Sequence, residues 1–142
     1  MKPIVVSKTI HQPVEKVWLA ITDVNQMVYW FFDNIPDFKP EVGFKTWFIV
    51  KNEDRIFYHL WEIAEVKINK KITVQWTYPD YVKEPFPVTF ELEDLGENQT
   101  KFTVIAEGIE KFSHFNLVEF APESCRGGWE YFSDRLKKYL EN

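Results

Sequence analysis

Lys71-Ile72-Thr73-Val74-Gln75-Trp76-Thr77-Tyr78 alternates polar and apolar residues without a break. Successive side chains of a strand point to opposite faces, so Ile72, Val74, Trp76 and Tyr78 share one face and Thr73, Gln75 and Thr77 the other. One dry face and one wet face mark an antiparallel sheet covered on a single side. The pattern repeats downstream. Val88, Phe90 and Leu92 oppose Thr89, Glu91 and Glu93, and Phe102, Val104 and Ala106 oppose Lys101, Thr103 and Glu107, with Ile105 interrupting the polar face. Working outward, five strands are expected at about Phe44–Lys51, Arg55–Val66, Lys71–Tyr78, Pro87–Glu93 and Thr100–Gly108. Their separators are turn-like: Asn52-Glu53-Asp54, Asn69-Lys70, the proline-bearing Pro79–Phe86 stretch and Gly96-Glu97-Asn98. Short separators imply hairpins, since parallel neighbours need a long crossover. Arg55–Val66 is apolar on both parities, which leaves the direction of His59 and Trp61 open.

The flanks supply a sixth strand and the helices. Pro3–Ile10 reads as a strand, with Ile4, Val6 and Ile10 on one parity. Pro13 suits the first turn of a helix, and Val14, Val17, Trp18 and Ile21 form an apolar stripe at helical spacing. Asp23 followed by Gln26 has the form of a capping box opening a second short helix that carries Met27 and Trp30. Phe31–Gly43 reads as a loop punctuated by Pro36, Pro40 and Gly43. Pro122 begins a long last helix whose seam is Cys125, Trp129, Phe132, Leu136 and Leu140, with Glu123 and Lys137/Lys138 at the ends the helix dipole favours. At ~1.5 Å per residue it reaches close to 30 Å, enough to cross a six-stranded sheet. The expected fold is therefore α+β: a curved antiparallel sheet over one long C-terminal helix, in one domain spanning residues 1–142.

Composition narrows the function. A net charge of −5 and a pI near 5.2 argue against a nucleic-acid footprint or an anionic membrane surface. No apolar run approaches the ~20 residues of a membrane span. The single cysteine excludes an internal disulfide, and Met1-Lys2-Pro3 leads into no signal-peptide core, so the expected compartment is the cytoplasm. Aromatics make up 18% of the chain, including six Trp, and can either pack against one another or wall a cavity.

Several segments then carry a family likeness. Gln12-Pro13-Val14-Glu15-Lys16-Val17-Trp18 resembles the "APxEKVW" opening motif of the START-like (SRPBCC, helix-grip) superfamily. Ala20-Ile21-Thr22-Asp23 and Trp30-Phe31 are similar to its "A-L-T-D … W-F" continuation, and Phe38–Gly43 to its loop before the second strand. Glu62 to Trp76 resembles its middle-strand pairing, and Gly128-Trp129 its last helix. The nearest pattern is the Aha-type subfamily, named for activators of the 90-kDa heat-shock chaperone ATPase. The resemblance implies a helix-grip fold and a cavity that in some members holds lipids, sterols, polyketides or hormones and in others supports cyclase or hydrolase chemistry. It also implies a chaperone as an alternative partner.

The candidate cavity residues are Trp30, Trp47, His59, Trp61, Trp76, Tyr78, Phe90, Cys125, Trp129 and Phe132. No catalytic set, metal site or cofactor motif is expected. His11, His59 and His114 lack metal spacing, and there is no phosphate loop, nucleophile elbow or dinucleotide fingerprint. His59 and Glu65 share parity on their strand, which keeps a general base in play. Cys125, near a helix N-terminus and beside Arg126, has surroundings that lower a thiol pKa. The leading expectation is non-enzymatic binding of a small hydrophobic or amphipathic ligand. The alternatives are a chaperone-interacting protein and a cavity enzyme.

Overall fold

The structure, a computed structural model, describes residues 3–142. Its elements are β1 (Ile4–Ile10), α1 (Val14–Thr22), α2 (Val24–Trp30), β2 (Lys45–Asn52), β3 (Arg55–Lys67), β4 (Lys71–Tyr78), β5 (Val82–Gly96), β6 (Gln99–Ala106) and α3 (Pro122–Glu141). Two 3-10 segments, Ile109–Phe115 and Val118–Phe120, precede α3. One curved sheet runs in the order β1-β6-β5-β4-β3-β2 with every neighbour antiparallel. The helix-grip architecture expected from the sequence is present.

Local chemistry explains the turns and caps. Glu97 and Asn98 both have positive φ (54° and 60°), the two-residue geometry that suits the right-handed twist of a hairpin. The Asp23 carboxylate accepts from the Asn25 backbone N–H at 3.0 Å and caps α2. Gln26 does not complete a capping box; its carbonyl oxygen instead accepts from the Tyr139 hydroxyl at 3.2 Å, tying α2 to α3. Pro13 takes the N-cap position of α1, one residue before the first turn expected for it.

The edge strand β1 is covered by α3. Arg126 donates to the Val5 carbonyl at 3.0 Å and Lys137 to the Thr9 carbonyl at 2.6 Å, so cationic side chains occupy acceptors an exposed edge would offer another chain. Arg135 donates to the carbonyls of Tyr29 (2.9 Å) and Trp30 (3.1 Å) and fixes the C-terminal half of α3 over α2. Leu136 is fully buried there.

Two strands depart from expectation. β5 begins at Val82, inside the stretch read as a connection, and continues to Gly96. Pro85 hid its first residues, because proline removes a ladder donor. Pro85 falls in the register irregularity opposite Trp76 and Tyr78, whereas Pro87 stays in register with Gln75 and its carbonyl accepts from Glu107 N at 3.1 Å. In β3 a register shift lies between Ile63 and Glu65. Phe57, His59, Trp61 and Ile63 face inward, but past the shift Val66 pairs with Ile72 and Glu65 with the outward Thr73.

Candidate functional site

The concave face of the sheet is filled at one end and open at the other. At the filled end Trp30 stacks on Phe31 (centroids 4.8 Å apart), Phe31 on Trp61 (5.6 Å), and Phe90 and Phe102 meet Trp30 edge-on (6.5 Å each). Trp30 is 1% exposed and its indole N–H donates to the Ala20 carbonyl at 2.8 Å. At the other end lies a cavity of about 760 Å³ between the sheet, the 3-10 segments and the N-terminal half of α3. Its walls are mainly apolar rings: Phe57, Trp76, Tyr78 and Phe86 from the strands, Trp129 and Phe132 from the helix. A volume in this range suits a small organic ligand.

The helix wall has an unusual composition for its place. Gly127 and Gly128 sit inside α3, where each glycine costs about 1 kcal/mol relative to alanine. Close packing does not require them, because a Cβ at either position meets nothing within 4 Å. Gly128 lines the cavity, so its missing side chain leaves the space open.

Polar groups are few and placed at two levels. At the rim, the Glu119 carboxylate accepts through one oxygen from Arg55 Nε (2.7 Å) and Asn52 Nδ2 (2.6 Å). Burial pushes the Glu119 pKa upward, but the Arg55 and Asn52 hydrogen bonds outweigh it and hold it below the usual value. Its other oxygen, Oε1, is buried without a partner. Deeper in, His59 is 4% exposed, and burial lowers its pKa to about 4 against a weaker opposing hydrogen bond from the Phe57 backbone, so the ring is neutral at ordinary pH. Burial likewise raises the Tyr78 hydroxyl above its ordinary range. The indole N–H of Trp76 is buried without a well-formed hydrogen bond, as is that of Trp61 in the filled end.

Of the sequence-derived candidates, the structure brings His59, Trp76, Tyr78, Cys125, Trp129 and Phe132 to the cavity wall. Trp30, Trp61 and Phe90 belong to the packed end of the same face. Trp47 points the other way: Thr46 and Phe48 take the inward parity of β2, and Trp47 is 61% exposed on the outer face. His59 and Glu65 do not meet, because the β3 register shift turns Glu65 outward to Lys71 Nζ at 3.2 Å. The Cys125 thiol is not activated. Burial raises its pKa to about 11, and it donates to the Glu119 carbonyl at 3.5 Å. Sequence reasoning missed Phe57, Phe86, Gly128 and the Glu119–Arg55 rim. The apolar parity of 86–92 was the available signal for Phe86; Glu119 lies in a 3-10 segment without periodicity.

Among the described residues no group of three or more His, Cys, Asp or Glu is arranged to hold a metal ion. No described helix is long and apolar enough to cross a membrane.

A family model described as "Activator of Hsp90 ATPase homolog 1-like protein" matches residues 11–141. Among curated proteins, none matches. Solved structures with the same fold include the Aha1 dimer from Colwellia psychrerythraea (22% identity, TM-score 0.76), in which the match covers 99% of this chain and 97% of that one. PFC0360w, an HSP90 activator from Plasmodium falciparum, aligns at 20% identity and TM-score 0.77 over 99% of this chain and 96% of its own. DynU16, from the dynemicin biosynthetic locus, aligns over 100% of this chain at 22% identity and TM-score 0.72; this chain spans only 48% of its length.

Proposed function

The chain belongs to the Activator of Hsp90 ATPase homolog 1-like family, and within that fold we propose that it is a non-enzymatic module binding a small hydrophobic or amphipathic ligand between the sheet and α3. The observation that carries this reading is the glycine wall: α3 gives up helix stability at Gly128 where no neighbour demands it, beside a cavity of about 760 Å³. An aromatic core built only for stability would place a side chain there. The apolar walls supply affinity, and the Glu119–Arg55 rim gives an amphipathic ligand a polar exit. A thermal-shift assay with a lipid and metabolite extract of the source organism tests it. A ligand at 100 times its Kd adds about 2.7 kcal/mol to stability, a melting shift of several degrees. The shift should vanish in Gly128→Leu, whose side chain fills the space. An extract that moves neither protein removes the proposal.

A second reading draws on the family itself. The HSP90 activator among the solved structures is so described, and family membership supports a chaperone as partner here. The outer face of β2 and β3 carries Trp47, Ile56, Tyr58 and Leu60, all exposed, with the Trp47 and Tyr58 rings 6.4 Å apart. Exposed apolar groups so clustered suit a protein partner. On this reading the chain raises the ATP turnover of its cognate 90-kDa chaperone and Trp47→Ala weakens the effect. An unchanged ATPase rate across a full titration with wild-type protein eliminates it.

A further inference from the structure

His59 reaches the cavity wall as a hydrogen-bond acceptor with no donor. Its Nδ1 lies 3.1 Å from the Phe57 carbonyl. A carbonyl can only accept, so Nδ1 carries the ring proton and Nε2 presents a lone pair. Among the described residues Nε2 has no hydrogen-bond partner. The ring cannot easily turn away, because Tyr78 (4.9 Å), Phe48 (5.1 Å), Phe32 (5.2 Å) and Trp76 (5.4 Å) box it in. Trp76 adjoins this ring, and its indole N–H is buried without a hydrogen bond of good geometry, turned toward the Tyr78 hydroxyl.

Resting on the cavity reading above, we infer that His59 is its specificity-determining residue, and that the cavity selects apolar ring compounds bearing a neutral hydroxyl that donates to His59 Nε2. A hydrocarbon would cover the Nε2 lone pair and leave it unsatisfied. A carboxylate would set lone pairs against a lone pair, and protonating the imidazole to relieve this is opposed by its burial. An ammonium finds no net negative charge: Lys51 lines the same mouth, and Arg55 already neutralises Glu119. A hydroxyl can donate to Nε2 without bringing a charge into the cavity. The flat walls of Trp76, Trp129 and Phe132 favour fused rings over a flexible chain.

The test uses 2-naphthol and 2-methoxynaphthalene, which share a ring system and differ in the donor. Binding is followed by quenching of tryptophan fluorescence in wild type, His59→Phe and Gly128→Leu. Wild type should bind 2-naphthol about tenfold more tightly, the discrimination of one well-placed hydrogen bond. His59→Phe should bind both alike, and Gly128→Leu neither. Equal affinity in wild type, or an undiminished preference in His59→Phe, overturns the role of His59 while the cavity stands. Failure of wild type to bind either probe overturns both readings. A second measurement needs no variant: the 15N resonance of His59 Nε2 should move upfield on addition of 2-naphthol and stay in place with 2-methoxynaphthalene. An unmoved resonance at saturating 2-naphthol refutes the contact.

Discussion

Trp129→Ala separates a cavity wall from a packed core. An enclosed tryptophan removes roughly 150–250 Å² from water, worth about 4–6 kcal/mol at ~25 cal/mol per Å². Trp129 is only half-buried. One side meets Trp76 (5.6 Å), Phe31 and Phe90 (5.9 Å each), and the other borders the cavity. About half the contact is therefore absent already, and the extended-chain reference overstates the remainder by roughly 10–40%. The substitution should cost about 2 kcal/mol. Trp30→Ala is the internal standard, since Trp30 is enclosed and hydrogen-bonded to Ala20. It should cost about 3–5 kcal/mol. Urea titrations of wild type and both variants give the comparison, provided the m-values agree. Equal costs for the two substitutions would mean that Trp129 is as enclosed as Trp30, and the open cavity would be refuted. No cost at Trp129 would break the helix seam instead.

Other expectations follow from single features. Gly128→Ala should stabilise the protein by about 0.5–1 kcal/mol in the same titration, since the new Cβ meets no neighbour. Asp23→Ala removes the α2 cap and should cost about 1 kcal/mol. His59 makes stability pH-dependent. Its pKa falls from 6.5 in the unfolded chain to about 4 when folded, so between those values the unfolded state binds more protons. Its contribution is whole above pH 6.5 and is lost as pH falls toward 4, a total of about 3 kcal/mol. His59→Phe should flatten that part of the stability–pH curve; an unchanged slope would mean the ring is solvated.

How much of this was readable beforehand depends on what periodicity can encode. β4 and β6 announced themselves because alternate residues differ in polarity. β3 did not disclose its inward face, because Ile56, Tyr58 and Leu60 are apolar and yet exposed, a property of the outer surface that no local rule marks. The shift after Ile63 adds one residue to the count and flips Glu65, which parity alone assigns to the side of His59. Trp47 shows the converse hazard: a large aromatic suggests a cavity wall, but its parity with Lys45 and Ile49 sends it outward. The 3-10 segments that bring Phe112, Phe120 and Glu119 under the sheet have no repeat to detect. The cavity itself is a difference between the rings present and the space enclosed, and Gly128 contributes to it by lacking atoms.

Native mass spectrometry of wild-type and Gly128→Leu protein, purified gently from the source organism, tests the ligand-binding account most directly. Wild type should carry a non-covalent mass released on activation, of a size suited to about 760 Å³, and the filled variant should fly without it. Wild-type protein that is consistently empty, or a Gly128→Leu variant that retains the same mass, would contradict the account.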